Sequence, residues 1–268
     1  MSRNLRNLLR LNARKGEFKA EANTIWLYDV IVSDELEAEW TGGIAPRPFI
    51  DALKSMTGPV HIRINSPGGD VFGATAMAQA MREYPGEITC HVDGVAASAA
   101  SVLAISGSKM VMAPGSLLMI HNAWTMAVGD RNDLLDTASL LEKVDGMLAE
   151  GYARKSGGTA DTFSAMMDAE TWFTPAEAVA AKLADAIAEK ASSPAASWDL
   201  SVFAKAPMAA AVTRITTVTE TTEVCTEVAT ETVEIISEEA AAMPEDNASN
   251  EIEARKRQFA AAMLRKTA

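Results

Sequence analysis

A serine and its surroundings have the composition of a nucleophile at a corner of the chain. Ser98 follows a strand-like run, 87–92, and Gly94 predicts a sharp turn before a helix of small and aliphatic residues from Ala96 to about Gly107. A hydroxyl at the start of a helix lies beside unpaired backbone N–H groups, which can stabilise a developing oxyanion. We interpret Ser98 as a nucleophile, and the alternative is an N-cap on a tightly packed helix.

A serine hydroxyl is a weak nucleophile at neutral pH and needs a general base. His121 ends the apolar run 116–120, and imidazole has the unperturbed pKa that suits this task. His61 and His91 fall inside predicted strands, where we expect structural roles. His121 is therefore the candidate base, and the alternative is a packed surface histidine at the end of a strand.

A third group must orient the imidazole and offset its charge once it is protonated. Asp168 and Glu170 alternate, so in an extended segment they share a face, and Trp172 and Phe173 could anchor that segment. Either carboxylate could instead be merely solvated. The residue types alone do not show whether Asp168 or Glu170 takes this role.

A glycine-rich turn follows another predicted strand, at Asn65–Asp70. Gly68 and Gly69 precede a helix, and two consecutive glycines let backbone N–H groups face a carbonyl oxygen or a peptide strand. The alternative is an ordinary connection between a strand and a helix. A phosphate-binding loop fits poorly, because no Lys-Ser/Thr pair follows the glycines.

The elements that must position these groups alternate along the chain. Strands are predicted at 24–32, 60–64, 87–92, 109–112 and 116–120, and helices at 45–54, 71–84, 96–107, 131–156, 160–167 and 174–185. Short apolar strands alternating with helices predict an α/β fold with parallel strands covered by helices. Catalytic groups then belong in the loops after the strands, where Ser98 and His121 both lie.

Composition bounds the possible functions of the 268-residue chain. A net charge of −12 argues against nucleic acid or anionic membranes as partners, and 48% hydrophobic residues allow a sizeable core. No apolar run reaches the roughly 18 residues that a membrane helix needs. Cys90 and Cys225 form no disulfide framework, which suits a reducing, cytoplasmic compartment. The chemistry outlined above requires no metal and no cofactor.

Three regions differ in character. Residues 1–22 predict a basic N-terminal arm, with an organelle transit peptide as the alternative, and residues 23–190 predict the folded domain. Residues 191–268 predict an acidic tail. Within it, 212–247 carries nine acids against one base, and 251–266 has the pattern of a short basic amphipathic helix.

Four motifs together resemble the Clp protease proteolytic subunit, ClpP. They are Ile64–Gly69, Gly94–Ala99, Met119–His121 and Glu170–Ala178, in matching order and spacing over roughly 24–190. With its additional tail the chain most resembles the ClpP-like head maturation proteases of tailed bacteriophages. The resemblance implies a ClpP/crotonase-like α/β fold of repeated β-β-α units, a protruding long helix and a low-complexity C-terminal tail.

The resemblance also implies roles for single residues. These are Ser98 as nucleophile, His121 as base, Glu170 as the acid with Asp168 as the fallback, and the N–H groups of Gly69 and Ala99 as the oxyanion hole. An extended substrate is expected beside Gly68, Asp70 and Val71. The stretch from 131 is expected to join stacked rings of a homo-oligomer, and the implied activity is a serine endopeptidase processing phage scaffold and capsid proteins in assembling proheads.

Four other functions remain open at this point. A crotonase-class acyl-CoA enzyme would have a related architecture but no use for a serine–histidine pair here. A non-enzymatic assembly protein could keep the fold, and an ATP-dependent housekeeping Clp peptidase would need an unfoldase. A serine–lysine peptidase would use Lys109 or Lys182 as its base.

Overall fold

The computed structural model describes residues 5–190 and 198–207. These residues belong to one compact unit, Met1–Ala211. The predicted acidic tract 212–247 and the predicted helix 251–266 lie outside the described residues. Within the described ranges the predicted α/β class is confirmed, and each predicted strand and helix overlaps an observed element.

The secondary structure follows the chain in this order. The strands are β1 (Glu17–Glu21), β2 (Thr24–Tyr28), β3 (Val60–Ser66), β4 (Ile88–Ala97), β5 (Lys109–Met112), β6 (Leu117–Ile120), β7 (Thr171–Phe173) and β8 (Ala186–Ile187). The helices are α1 (Leu5–Asn12), α2 (Glu35–Thr41), α3 (Pro46–Ser55), α4 (Val71–Glu83), α5 (Ala99–Ala104), α6 (Arg131–Ser156), α7 (Ala160–Asp168) and α8 (Pro175–Ala180).

One sheet in the described part of the chain has the order β1-β2-β3-β4-β5-β8, and it forks at β4. Strands β2, β3, β4, β5 and β8 are parallel, and β1 is antiparallel to β2. The first half of β4 pairs with β5, whereas Val95–Ala97 pairs in parallel with β6. Strand β7 then pairs antiparallel with β6. The fork brings the carboxyl ends of β4 and β6 to one edge.

The fork corrects one expectation from the sequence. Gly94 is not a turn and the helix does not begin at Ala96, because β4 stays extended through Ala97. The N–H of Val95 donates to the side-chain oxygen of Asn65 at 3.1 Å, and pairing with β6 occupies the last three residues of the strand. The chain therefore turns at Ser98 itself.

The two faces of the sheet have different side chains. In β3, Val60, Ile62 and Ile64 are fully buried and contribute to the main apolar core. The alternate residues His61 and Arg63 lie on the opposite face, as the period of two requires. There the ring of His61 lies 3.0 Å from that of His91, nitrogen to nitrogen.

A charged network stabilises this opposite face. Arg63 donates two hydrogen bonds to the carboxylate of Asp93, whose side chain is only 2% exposed. The hydroxyl of Tyr28 donates to the same carboxylate, and burial, together with the Asp93 charge, raises the pKa of Tyr28 to about 12. The network holds β2, β3 and β4 together.

The folded unit is longer at both ends than the predicted 23–190 domain. Leu8 of α1 is buried, and so are Val202 and Phe203, all in a second apolar cluster. The side chain of Asn12 donates to the carbonyl of Asp199 and accepts from its N–H, which ties the two added segments together. Apolar residues of these segments are buried in the fold, although the polar composition of the segments predicts an arm and a tail.

The long helix α6 has the predicted bounds, 131–156. Asp130 and Asp133 form a capping box at its start, and Gly157 ends it in the left-handed conformation, at φ 74°. No side chain of α6 before Val144 is buried. Among the described residues, no helix is both long and apolar enough to cross a bilayer.

Replacing Arg63 tests the charged network. Because Arg63→Leu removes the cation from a buried carboxylate, we expect it to lower the free energy of unfolding by about 2 kcal/mol. Arg47→Leu is the matched control, since the Arg47 side chain is 80% exposed and its ion pairs are long, so the expected change is within about 0.5 kcal/mol. Urea denaturation measures both, and equal losses would contradict the prediction.

Candidate active site

Ser98 occupies a strained corner between β4 and α5. Its φ is 53° and its ψ is −125°, a conformation rare for any residue other than glycine. Its N–H donates to the carbonyl of Met119 in β6 at 2.9 Å. The surrounding sheet therefore holds the strained backbone in place, as in the sharp strand-to-helix turns that present nucleophiles.

His121 comes directly after β6 and meets Ser98 at the forked edge. Pairing of Ala97 with Met119 brings the two strand ends side by side. His121 Nε2 lies 2.8 Å from Ser98 Oγ, within hydrogen-bond distance. The ring of His121 also makes edge contacts with Trp124 and Phe203, with each centroid 5.4 Å away.

The glycine-rich turn lies against the same corner. A Cβ at Gly68 would lie 2.9 Å from Ser98 Cβ and 3.1 Å from the backbone nitrogen of Ala99, so only glycine allows this approach. The carbonyl of Gly68 accepts from Ile31 and the N–H of Asp70 donates to Ile31. Neither of these bonds uses the N–H of Gly69, and Gly69 lines the cavity beside Ser98.

The residues predicted to bind substrate are divided between two tasks. Of the predicted substrate residues Gly68, Asp70 and Val71, the last two line the cavity beside Ser98, as does Gly69, the residue predicted for the oxyanion hole. The carboxylate of Asp70 accepts from the N–H of Gly73 at 2.6 Å and caps α4. The side chain of Asp70 is thus committed to the helix, which leaves backbone groups of this segment to face a substrate.

A cavity of about 130 Å³ opens beside Ser98 and His121. Its walls are largely apolar and come from the start of α4 and from α6. The aliphatic and phenyl side chains that these two helices contribute are Val71, Phe72, Leu140, Leu141, Val144 and Leu148. Its size and lining suit an apolar side chain placed next to the serine hydroxyl.

The two candidate acids have different partners. Pairing of Ile120 with Thr171 brings the residues that flank this pair, His121 and Glu170, to the same end of the ladder, and both line one depression. The carboxylate of Glu170 accepts from the N–H groups of Ala204 and Lys205 and, at 3.4 Å, from Trp172 Nε1. The carboxylate of Asp168 accepts from the side-chain amide of Asn122 at 2.6 Å.

Asp145 is a site residue that the sequence did not reveal. It lies on α6 and accepts from the N–H of Ala123 at 2.6 Å, which fixes the chain two residues after His121. Burial raises the pKa of Asp145, and the charge of Asp168 adds to this effect. Acids on a long amphipathic helix are usually solvated, so the pattern offers no signal for this role.

A second hidden contact joins α6 to the nucleophile corner. Ser101 Oγ donates to the carbonyl of Ser98 at 2.6 Å, and the hydroxyl of Tyr152 lies 2.7 Å from Ser101 Oγ. Because the single proton of Ser101 is used on Ser98, Tyr152 is the donor in the second bond. Burial raises the pKa of Tyr152 to about 12, so this donor stays protonated.

The lysines considered as alternative bases lie elsewhere. Lys109 pairs with Thr89 near the start of β4, whereas Ser98 follows the other end of that strand. Lys182 follows α8, and neither lysine lines the cavity beside Ser98. This placement argues against a serine–lysine peptidase.

Comparison with known proteins identifies a family that this chain matches. A family model described as Clp protease matches residues 29–191. The chain is 28% identical over 169 residues to the ATP-dependent Clp protease proteolytic subunit 1 of Leifsonia xyli, a match that covers 62% of this chain and 83% of that protein. It is 30% identical over 161 residues to the corresponding subunit of Ligilactobacillus salivarius, covering 59% and 81%.

A third relative matches over a shorter length. The ATP-dependent Clp protease proteolytic subunit of Bacteroides fragilis is 34% identical over 121 residues, which are 44% of this chain and 58% of that protein. Ser98 and His121 lie inside the matched range 29–191, and residues 198–207 lie outside it.

Gly69→Ala tests the turn beside Ser98. A Cβ there would lie 1.9 Å from the carbonyl oxygen of Ile31, and φ is 144°, so the N–H must move. We expect covalent labelling of Ser98 by a fluorophosphonate to slow at least about 100-fold, the scale of one lost oxyanion donor. Labelling is followed by intact-protein mass spectrometry.

The matched control is Gly115→Ala. Gly115 also has a positive φ, 82°, but a Cβ there would meet nothing within 4 Å. We expect a loss of about 1 kcal/mol of stability and an unchanged labelling rate. A labelling rate of Gly69→Ala equal to that of this control would show that the turn does not assist the serine.

Proposed function

Because this chain belongs to the Clp protease family, a family of serine-type peptidases, we propose that it is a serine endopeptidase with Ser98 as its nucleophile. The observation that carries the assignment to particular residues is the 2.8 Å distance between Ser98 Oγ and His121 Nε2. A crotonase-class enzyme would have no use for this pair. A non-enzymatic assembly protein would not require it.

In the proposed reaction, neutral His121 accepts the proton of Ser98 at Nε2 as Ser98 Oγ attacks the carbonyl carbon of the scissile peptide. The oxyanion accepts hydrogen bonds from the N–H groups of Gly69 and Ala99. When the tetrahedral intermediate collapses, the C–N bond breaks and His121 returns the proton to the leaving amine. Water then attacks the acyl-enzyme by the same proton transfers in reverse and releases the second product.

We keep Glu170 as the proposed acid of the site, with Asp168 as the fallback. An anionic group near His121 stabilises the imidazolium that forms in each step. What favours Glu170 is that it lies next to the last pair of the ladder, Ile120 with Thr171, and lines the same depression as His121. The hydrogen bonds that each carboxylate makes determine how that acid can act on His121.

We propose that the peptide lies extended beside Gly68–Val71 and places an apolar side chain in the cavity. The carbonyl of Gly68 and the N–H of Asp70 bind Ile31, and the backbone of Gly69 between them is not used in these two bonds and can pair with a peptide strand. The apolar walls supplied by Phe72, Leu141 and Val144 disfavour a charged side chain next to the scissile bond.

We propose a ring-shaped homo-oligomer for the assembled enzyme. The support is the first half of α6, which carries no buried side chain and exposes Leu134, Leu135 and Leu140 by about half. An exposed apolar row on a helix is typical of an interface between protein copies.

For the biological setting we propose processing of phage scaffold and capsid proteins, in the host cytoplasm and within assembling proheads. What supports this narrower role is the resemblance of the motifs and the long sequence that follows the matched range 29–191. The second candidate is an ATP-dependent Clp-type peptidase subunit, favoured by the names of the relatives. Degradation of folded proteins only with an added Clp unfoldase and ATP would select this second function.

Ser98→Ala tests the proposed nucleophile. Losing the hydroxyl should abolish the fluorophosphonate adduct and lower cleavage of a fluorogenic peptide by at least about 1,000-fold. Ser106→Ala is the matched control, because its hydroxyl donates to the carbonyl of Val102 just after the end of α5, and it should keep both activities. Intact masses of the same samples reveal any loss of the C-terminal region, and loss in both wild type and Ser98→Ala would exclude self-cleavage by Ser98.

A peptide series tests the proposed cavity. Peptides that differ only in the residue before the scissile bond should be cleaved in the order Leu, Ala, Glu. We expect kcat/KM for Leu to exceed that for Glu by at least about 100-fold, because the carboxylate would be desolvated against apolar walls. Equal values across the series would mean that this cavity does not bind that side chain.

A further inference from the structure

Residues 198–207, here called the closing segment, run beside the candidate active site although they lie outside the range shared with the family. Val202 and Phe203 are 1% and 4% exposed. Both line a depression whose walls also include His121, Asp168 and Glu170. The closing segment therefore adds two side chains from outside the family match to a depression that residues inside the match also line.

Phe203 bounds the imidazole of His121 on one side, and Trp124 is a second aromatic neighbour. Both rings stand nearly perpendicular to the imidazole, at 85° and 81°, with centroids 5.4 Å from it. Phe203 also contacts the rings of Trp124 and Trp172, at 5.7 and 5.9 Å. Rotation of the imidazole away from Ser98 would have to displace this aromatic cluster, whose Phe203 is buried.

Glu170 holds Phe203 in this position. Its two carboxylate oxygens accept hydrogen bonds from the N–H groups of Ala204 and Lys205, the two residues that follow Phe203. The ammonium group of Lys205 donates to the carbonyl of Ala169 next to Glu170. Hydrogen bonds to a carboxylate are stronger than those between neutral groups, so the backbone at Phe203 is firmly held.

The other end of the closing segment is fixed independently. Trp198 Nε1 donates to the side-chain oxygen of Asn65 at 3.1 Å, and the same oxygen accepts from Val95 in β4. The backbone of Asp199 exchanges two hydrogen bonds with Asn12. Phe203 thus lies on a segment that is anchored on both sides.

We propose that Phe203 is a positioning residue of the active site, which keeps the His121 imidazole directed at Ser98, and that Glu170 acts on His121 through the closing segment by holding Phe203. This role rests on the proposed peptidase function. It assigns the predicted acid a mechanical task carried by its bonds to Ala204 and Lys205.

The experiment compares variants of the full-length chain in steady-state cleavage of one fluorogenic peptide. Phe203→Ala should lower kcat about 10- to 100-fold and change KM less than about twofold, because orientation of the base affects the chemical step. Phe203→Leu, which keeps apolar bulk against His121, should recover most of kcat. Leu200→Ala is the matched control, since Leu200 belongs to the same segment and packs against the same apolar cluster but has no aromatic ring to place against His121. It should keep kcat within about twofold.

A double-mutant cycle tests the link to Glu170. Glu170→Gln should lower kcat by a factor similar to that of Phe203→Ala. The kcat of the double variant should be no lower than that of the more impaired single variant, because both residues act through one segment. Thermal unfolding of every variant shows that each is folded at the assay temperature.

Three results would overturn the proposal. The first is an unchanged kcat for Phe203→Ala in an active wild-type background. The second is a loss of kcat above about 1,000-fold for Glu170→Gln beside an unchanged Phe203→Ala, which would make Glu170 a direct partner of the imidazole. The third is a multiplicative loss in the double variant. A wild-type chain that neither cleaves the peptide nor takes the fluorophosphonate would instead refute the peptidase function itself, and this role with it.

Discussion

The fork of β4 is the constraint on which the candidate site depends. A single strand pairs with β5 over its first half and with β6 over its last three residues. This change of partner brings the ends of β4 and β6 together, and the N–H of Ser98 then binds the carbonyl of Met119. The strained backbone of Ser98 and its short distance to His121 are both consequences of that pairing.

Much of the fold could be predicted from local patterns. Alternating apolar residues and capping signals gave the central strands, the long helix and its stop at Gly157. The fork could not be predicted, because small residues such as Ala96 and Ala97 suit a buried helix as well as a buried strand. Only the partner strand, which is distant in sequence, decides between the two.

The site was predictable to a similar depth. Ser98, His121 and the glycine turn could be proposed because each follows a predicted strand, where the functional groups of an α/β fold lie. Asp145 and Phe203 could not, since one is an acid among many on α6 and the other follows a boundary drawn from composition. Both act through backbone or ring contacts that leave no spacing rule in the sequence. Chain ends with mixed composition are therefore judged better by the apolar residues that they can bury than by their charge.

The buried hydroxyl pair of Tyr152 and Ser101 couples two parts of the molecule mechanically. Tyr152 belongs to α6, the helix whose first half has no buried side chain, and Ser101 donates to the peptide carbonyl of the candidate nucleophile. A sliding or rolling displacement of that helix would have to break a bond shielded from water, where no solvent molecule can replace the lost donor. A force applied to α6 would accordingly be transmitted to the backbone of Ser98 through these two hydrogen bonds.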